Sequence, residues 1–447
     1  MKTYIIRFTT KGMKNLDNFT SIDFYNKSIS KGKEISMEKR NIKGIFGNNG
    51  AGKTAYILAM DIYINIVSKK NYLMQNFIKN KLDKLINKTT KNLFLENIFA
   101  VSKEDDDKIV DEIFKHTVVI TPVKNLFGEI DYSIYEKLEK LAGNTINTQF
   151  VEVYRVELNK LIVSRNFIDN GLVLETIHNK LEQSTLSSLA VDFLSIYPYK
   201  EIYKNHLVWY IYNVLLNAIT TNVYVDSEDV YEDINLDENI FNGDKNLSKF
   251  IKNYNKISLR VRLNEDIVKK NKIKEYEKQV GKLKEFIKIL KPNLKDIKVD
   301  KKFDGENYHC RKQFVYDNYY VDEEYESTGI KKIIKIYSFL CQVIKGNKVF
   351  IDELDANISG IFLDKLLDFI AENGKGQLCF TTHNVLSMDT LKKYRNGITV
   401  IGETGKVVNV VKNGHYQPVN LYYDGFIEDS PFNFDTFDFF KSFDLEG

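Results

Sequence analysis

The clearest chemical pattern in this 447-residue sequence is the stretch from residue 47 to residue 54, which reads GNNGAGKT. It fits the pattern G-x-x-x-x-G-K-[ST] of a phosphate-binding loop, or P-loop. Apolar residues before it predict the end of a buried strand, and apolar residues at helical spacing over 55–67 predict that the loop opens a helix. This context favours phosphate binding over a glycine-rich turn that contains lysine by chance.

Each part of the loop has a predicted chemical role. Glycines let backbone N–H groups point inward as an anion cradle, and the helix adds the positive end of its dipole. Lys53 can reach the β- and γ-phosphates of a nucleoside triphosphate, while the Thr54 hydroxyl can ligate Mg²⁺. The predicted phosphate-binding residues are Gly47, Asn48, Asn49, Gly50, Ala51, Gly52, Lys53 and Thr54.

An apolar strand that ends in two acids lies much later in the chain, at residues 349–353, which read VFIDE. In P-loop proteins such a strand delivers an aspartate to the metal, so Asp352 is a predicted metal-binding residue. Glu353 then lies near the attacking water and can act as a general base. A second acid is not needed for binding alone. The pair therefore favours hydrolysis over a strand end with two solvated carboxylates.

Two weaker patterns flank the acidic strand. Residues 326–332, ESTGIKK, begin a predicted helix with small and hydroxyl-bearing side chains, which suits a second anion site for the γ-phosphate of another copy. A helix cap explains the bare pattern equally well. After the acidic strand, a further buried strand ends at His383, which could hydrogen-bond the γ-phosphate, although a lone histidine is usually structural.

Taken in order, GNNGAGKT, ESTGIKK, VFIDELDAN and FTTHN resemble motifs of the ABC-type ATPases of the SMC and RecF kind. More narrowly, the chain is similar to the stand-alone bacterial AAA-15 or "overcoming lysogenisation defect"-like ATPases of phage defence, including abortive-infection ATPases and the AriA-type subunit of PARIS. The resemblance covers residues 1–69 and about 290–402. It implies an α/β P-loop fold with a mixed β-sheet flanked by helices, and ATP with Mg²⁺ as cofactors.

The resemblance also implies roles for individual residues. Ser327 and Gly329 correspond to the signature motif, Asp355 to the D-loop and His383 to the switch histidine. A glutamine in these ATPases senses Mg²⁺ and the γ-phosphate, and Gln149 is the nearest candidate here, although a lone glutamine at a strand start is more often solvated.

The sequence departs from the family pattern at two places near the expected dimer interface. Ile330 stands where family members usually have threonine, and residues 357–359 read NIS in place of the usual small-Leu-His. These departures concern the contact between copies and not the nucleotide site.

The chain divides into four predicted segments. Residues 1–169 and 325–415 are the two lobes of an ATPase core, residues 170–324 are a large, mainly helical insertion, and residues 416–447 are an acidic, aromatic tail. Strands are expected near 4–9, 21–25, 43–47 and 117–122, and a hairpin within 150–167. Helical patterns are expected within 70–115, where they include Phe94 and Ile98.

Composition and charge indicate which binding partners and which cellular compartment to expect. The net charge is only +3, so bulk charge does not indicate nucleic acid. Residues 264–302 carry 13 lysines against 7 acidic residues, which predicts a solvated helix face or, alternatively, a partner or nucleic-acid patch. Three scattered cysteines and the lack of a signal peptide or membrane-spanning stretch predict a soluble, cytoplasmic protein.

The functional expectation follows from the resemblance. It implies an ATPase that forms dimers or larger oligomers, senses a phage protein and controls a separate toxic effector, for example a nuclease, since no nuclease constellation is visible in the chain. The alternative is a RecF- or SMC-like DNA-maintenance ATPase that binds DNA directly through residues 269–302. A transporter motor is disfavoured because no membrane domain is present.

Overall fold

The structure is a computed structural model that describes residues 1–25, 29–36, 40–103, 105–125, 127–167, 187–194, 205–225, 265–410 and 417–427. Its strands are β1 (Thr3–Lys11), β2 (Thr20–Asp23), β3 (Ile42–Phe46), β4 (Leu93–Ser102), β5 (Val110–Lys124), β6 (Ile130–Leu141), β7 (Phe150–Glu157), β8 (Lys160–Val163), β9 (Thr221–Tyr224), β10 (Glu265–Lys269), β11 (Asp296–Phe303), β12 (Asn307–Val315), β13 (Tyr320–Asp322), β14 (Lys348–Ile351), β15 (Gln377–Thr381), β16 (Ile398–Ile401) and β17 (Val407–Asn409).

The chain contains both helices and strands, so the protein belongs to the mixed α/β class that the sequence predicts. The described α-helices are α1 (Lys53–Ser68), α2 (Asn76–Leu85), α3 (Leu189–Leu194), α4 (His206–Ile219), α5 (Ile273–Leu290), α6 (Thr328–Lys345), α7 (Gly360–Asn373), α8 (Ser387–Leu391) and α9 (Pro418–Tyr423). In the part of the chain that the structure describes, no helix is long and apolar enough to cross a membrane.

The central sheet has six strands in the order β17-β16-β3-β15-β14-β9. All neighbouring pairs are parallel except β16 with β17. Strands β3, β14 and β15 are buried along their whole length, which explains their largely apolar sequences. Because their carboxyl ends meet at one edge, the sheet brings three distant chain segments to one place.

A second sheet and two helical layers cover the central sheet. The second sheet is antiparallel, with seven strands in the order β2-β1-β4-β5-β6-β7-β8. Helix α1 contacts strands of both sheets and packs on α4, and the apolar residues of α1, α4 and both sheets form one buried core. Helices α6 and α7 belong to a second core, which lies against the opposite side of the central sheet.

The expected early strands are present, as are the long strand around 117–122 and the antiparallel β7–β8 hairpin. The helical prediction within 70–115 is correct for α2 but wrong for Phe94 and Ile98, which lie in β4. From Asn97 onward β4 is buried on both faces, so its sequence loses the polar alternation that marks a strand.

The prediction of a mainly helical insertion over 170–324 also needs correction. Strand β9 lies inside this range yet pairs with β14 in the central sheet. Strands β10, β12, β11 and β13 form a four-stranded antiparallel sheet, while α5 accounts for the predicted lysine-rich helix. The rest of the predicted insertion and residues 428–447 of the predicted tail lie outside the described residues.

Candidate functional site

The P-loop follows β3 and leads directly into α1. Gly47 has a φ of 148° and Gly52 a φ of 105°, both in the region that favours glycine. A Cβ at Gly47 would lie 2.3 Å from the backbone oxygen of Ile401, and a Cβ at Gly52 would lie 2.4 Å from Leu16. The loop therefore requires glycine at both positions for conformation and for space. Ala51, within the loop, is buried.

The amino end of α1 opens at this loop. Within the described part of the chain, no side chain caps this helix end, and its first turn contains no acidic residue. A helix leaves its first N–H groups without intrahelical acceptors, and these groups attract anions. The uncapped end of α1 thus fits a phosphate group.

Lys53 supplies a positive charge within the loop. It is 5% exposed, and its Nζ donates hydrogen bonds to the backbone oxygens of Gly47 and Asn48 at 2.7 and 3.0 Å. Burial lowers the pKa of Lys53, while the carboxylates of Asp352 and Glu353 act in the opposite direction. These carboxylates therefore favour the charged form of the P-loop lysine.

Two neighbouring segments hold the exposed tip of the loop. Asn15 Nδ2 donates a hydrogen bond to the backbone oxygen of Gly50 at 2.5 Å. Asn48 Nδ2 lies 3.4 Å from Glu403 Oε1, which belongs to the turn between β16 and β17. Asn49 and Gly50 remain exposed, so their backbone is accessible from solvent.

The acidic strand end lies against the start of α1. Asp352 follows β14 and is 2% exposed, and the Thr54 hydroxyl donates a hydrogen bond to its Oδ1 at 3.2 Å. Hydroxyl and carboxylate oxygens are the ligands that Mg²⁺ prefers. No cluster of three or more His, Cys, Asp or Glu side chains suited to a metal occurs among the described residues. A Mg²⁺ ion held by Thr54 and Asp352 would therefore take its other ligands from phosphate and water.

Thr381, the last residue of β15, is a site residue that the sequence analysis missed. Its hydroxyl donates to Asp352 Oδ1 at 2.7 Å and accepts a hydrogen bond from the Glu353 backbone N–H at 2.7 Å. A threonine near the end of the buried strand that is predicted to follow the acidic strand is the signal that could have indicated it. Glu353 itself is half-buried and has a φ of 49°, which is unusual for a residue other than glycine.

The loop after the acids contacts the segment with the predicted switch histidine. Asp355 Oδ2 accepts hydrogen bonds from the backbone N–H groups of His383 and Asn384 at 3.1 and 3.0 Å. His383 is exposed. Asp355, the D-loop candidate, is therefore hydrogen-bonded to the backbone of His383, the switch candidate.

The signature candidates lie at the start of α6. Ser327 is exposed and caps this helix, because its side chain accepts a hydrogen bond from the Ile330 N–H at 3.4 Å. A Cβ at Gly329 would lie 2.5 Å from the backbone oxygen of Asn357, so α6 approaches the loop that contains Asp355. Among the described residues no hydrogen bond joins Ser327 or Gly329 to the P-loop of the same chain.

Glu326, the residue before the signature candidate Ser327, has a buried carboxylate that neighbouring groups hold in place. Glu326 accepts hydrogen bonds from the Tyr316 hydroxyl, from Lys291 Nζ at 3.1 Å and from the Ser327 N–H at 3.1 Å. Burial and the neighbouring Glu326 raise the pKa of Tyr316. Lys291 follows α5 and Tyr316 follows β12, so the four-stranded sheet and α5 are connected to the start of α6.

The structure does not bring Gln149 to this site. Gln149 is exposed, and its backbone oxygen accepts from the Ala142 N–H at 2.9 Å in the turn between β6 and β7. The residue pairs between neighbouring strands, followed across the second sheet from β6 to β1, place this turn level with Thr3 at one end of β1. The P-loop contacts Asn15 and Leu16, which follow the other end of β1.

Together, a buried strand, a glycine loop, an uncapped helix end and an acid at the neighbouring strand end form the arrangement of a P-loop site. No known family profile matches the chain, and no curated protein matches it. Among solved structures, one described as the recombination mediator protein RecF with ATP in the RecFOR pathway matches over 92% of this chain and 99% of that chain. The match has 12% sequence identity and a TM-score of 0.32, so the functional assignment rests on the geometry of the site.

Proposed function

We propose that the protein binds ATP with Mg²⁺ and hydrolyses it as an ABC-type ATPase. The hydrogen bond between Thr54 and Asp352 is the observation that carries this proposal. It joins the residue after the P-loop lysine to the acidic strand end, 298 positions later in the chain. A P-loop ATPase requires this hydroxyl and this carboxylate at one metal.

The side chains of the site divide the chemistry among them. The loop N–H groups and Lys53 bind the phosphates, and Thr54 with Asp352 would hold Mg²⁺. When bound, Mg²⁺ neutralises charge that develops on the phosphate oxygens. Glu353 accepts a proton from the attacking water as a general base, and His383 hydrogen-bonds the γ-phosphate.

We propose further that Ser327 and Gly329 complete the P-loop site of a second copy of the chain. The exposure of Ser327 and the lack of a described hydrogen bond from either residue to the P-loop of its own chain support this arrangement. Each nucleotide would then lie between two chains, and ATP would promote dimers or larger oligomers.

For the biological role, we propose that ATP-dependent assembly regulates a separate toxic effector, such as a nuclease, in response to a phage protein. The order and the amino-acid sequences of the four motifs GNNGAGKT, ESTGIKK, VFIDELDAN and FTTHN support this role. Affinity purification of the chain expressed with its neighbouring genes should recover the effector. A plaque assay should show protection by the complete set of genes and loss of protection with Lys53→Ala.

Direct DNA binding is the second candidate function, because Lys269, Lys298 and Lys302 are exposed on the four-stranded sheet. Several lysines of the same segment are instead paired with acids, which reduces the positive field: these pairs are Lys272–Glu275, Lys284–Asp296, Lys291–Glu326, Lys295–Asp317 and Lys301–Glu277. Salt-dependent affinity for duplex DNA would support the second function.

Removal of the hydroxyl at position 54 tests the ATPase proposal. Thr54→Val should lose Mg²⁺-dependent release of phosphate from ATP, whereas Thr54→Ser, which keeps the hydroxyl, should retain it. Phosphate release should be measured with Mg²⁺ and with EDTA. Equal activity of the valine and serine variants would contradict a role of Thr54 at the metal.

A further inference from the structure

Thr381 lies where the three strands of the site converge. It ends β15, and its backbone pairs with Ile45 of β3 on one side. On the other side its carbonyl oxygen accepts a hydrogen bond from the Leu354 N–H at 3.0 Å. Its side chain is 0% exposed, so its position is fixed by both neighbouring segments.

The direction of both side-chain hydrogen bonds follows from the groups involved. The Glu353 backbone N–H can only donate, and an ionised Asp352 carboxylate can only accept. The threonine hydroxyl has one proton and two lone pairs, so it donates to Asp352 and accepts from Glu353. A methyl group at the same place could do neither.

The contact restrains the carboxylate of Asp352. Oδ1 of Asp352 accepts hydrogen bonds from Thr381 at 2.7 Å and from Thr54 at 3.2 Å. Within the described part of the chain, no hydrogen bond is made to Oδ2 of Asp352, which leaves that oxygen for other ligands. If Thr54 offers its oxygen to a metal, the Thr381 bond still holds the carboxylate.

The same hydroxyl restrains the backbone of Glu353. The φ of Glu353 is 49°, in the left-handed region that side chains other than glycine rarely occupy. Its N–H donates to Thr381 Oγ1 at 2.7 Å. This bond therefore stabilises the turn that sets the position of the Glu353 side chain. Strained conformations of this kind persist where surrounding contacts determine them.

We propose that Thr381 is a positioning residue that holds the metal-binding Asp352 and the water-activating Glu353 in one fixed arrangement. This inference rests on the proposed ATPase function and adds a residue from a third strand to it. Loss of the hydroxyl should weaken the binding of Mg²⁺ to the nucleotide-bound site and slow hydrolysis. Binding of ATP without Mg²⁺ should not change, because the P-loop itself is untouched.

Thr381→Val tests the proposal, because valine keeps the shape and removes both hydrogen bonds. Thr381→Ser keeps the hydroxyl and should restore near-normal behaviour. Thr399→Val is the matched control, because Thr399 is also 0% exposed in the central sheet, and its hydroxyl donates to Asn409 and accepts from Lys43. If Thr381→Val does not fold, Thr381→Cys gives the same comparison with a weakly hydrogen-bonding thiol.

A fluorescent ATP analogue, titrated with Mg²⁺ at fixed concentration, gives the readout that is independent of turnover. Thr381→Val should raise the Mg²⁺ concentration for half-maximal binding by about tenfold, raise KM for Mg·ATP in the same direction, and lower kcat by at least about tenfold. The control should match the wild type in all three quantities.

The outcomes separate this inference from the proposed function. If Thr381→Val matches Thr399→Val, or if Thr381→Ser is as impaired as the valine variant, the positioning role is wrong and the ATPase proposal stands. If the wild type itself shows no Mg²⁺-dependent nucleotide binding, both proposals are overturned.

Discussion

At the scale of single residues, the site depends on how a few oxygen atoms share hydrogen bonds. Asp352 is held by two hydroxyls and is 2% exposed, whereas Glu353 is only half-buried. The two adjacent acids therefore have different surroundings, which suits different tasks. The buried acid suits a fixed metal ligand, and the accessible acid suits proton transfer from water.

Glu353→Gln should bind ATP with wild-type affinity but hydrolyse it about 10²–10⁴-fold more slowly, because a general base acts in the chemical step. The ATP-bound assembly should also accumulate. Binding by calorimetry and phosphate release should be measured together. Glu285→Gln, which changes an exposed carboxylate on α5, is the control. Turnover equal to wild type would require another base, such as Asp355 or His383.

The P-loop and the acidic strand end could be predicted because each is a continuous pattern with its own chemistry. Thr381 could not be assigned in the same way, because its role depends on three strand ends that meet only in the folded sheet. The position of Gln149 shows the opposite case. Gln149 has the residue type that the resemblance implies, and it lies in about the right part of the chain. The strand register nevertheless places it away from the site.

At the scale of elements, α6 is connected to the four-stranded sheet by buried charge. Glu323 begins a short 3₁₀ helix before α6 and Glu326 follows it. Glu326 pairs with Lys291 at 3.1 Å, and Glu323 pairs with the fully buried Lys312 at 2.9 Å. Removal of one partner from such a pair leaves an unpaired buried charge, which is costly. These pairs thus fix where Ser327 lies.

Glu326→Gln should reduce the free energy of unfolding by about 1–3 kcal/mol, because Lys291 loses its charged partner. It should also lower ATP turnover more than ATP binding, since the P-loop is unchanged while the start of α6 loses a restraint. Urea unfolding and steady-state kinetics measure the two effects. A variant with lower stability but unchanged kcat would show that the contact does not position the signature serine.

Strand β3 carries a buried lysine that makes stability depend on pH. Burial lowers the pKa of Lys43 from 10.5 to about 8. Between these values the unfolded chain retains the lysine proton and the folded protein releases it, so stability rises with pH. Relative to Lys43→Met, the wild type should gain about 3 kcal/mol between pH 8 and pH 10.5. Urea unfolding of both proteins measures this difference, and parallel pH profiles would contradict it.

Some elements were predictable and others were not, for physical reasons. The helix α1 and the buried strands β3, β14 and β15 have simple patterns because one environment surrounds each of them. The sequence predicts helix at Phe94 and Ile98 of β4, because burial on both faces hides the strand period, and the strands β10 to β13 lie in a segment predicted to be mainly helical. The separation of β9 from its neighbours in sequence concealed its place in the central sheet.

At the scale of the whole molecule, the two groups of predicted phosphate-binding residues lie on different parts of one chain. The P-loop follows β3, while Ser327 and Gly329 begin α6, and no described hydrogen bond joins them. Two chains arranged so that each signature faces the other P-loop would complete both sites. Under this proposal, ATP hydrolysis would be a property of the assembly.

Ser327→Arg should leave ATP binding by single chains intact but suppress hydrolysis, because the partner's γ-phosphate loses its contact. Lys53→Ala should also be inactive. In a mixed dimer, one pocket combines an intact P-loop with an intact signature, so a mixture of the two variants should partly regain ATPase activity. If exchanging mixtures stay inactive and the wild-type monomer hydrolyses ATP, the composite site is wrong.

The central claim is that the loop from Gly47 to Thr54 binds the phosphates of ATP, and titration calorimetry with ATP and Mg²⁺ tests it most directly. Wild-type protein should bind with measurable heat and one nucleotide per chain. Lys53→Ala should show no binding under the same conditions, while Lys14→Ala, an exposed lysine on a neighbouring loop, should bind normally. Equal affinity of wild type and Lys53→Ala would contradict the account.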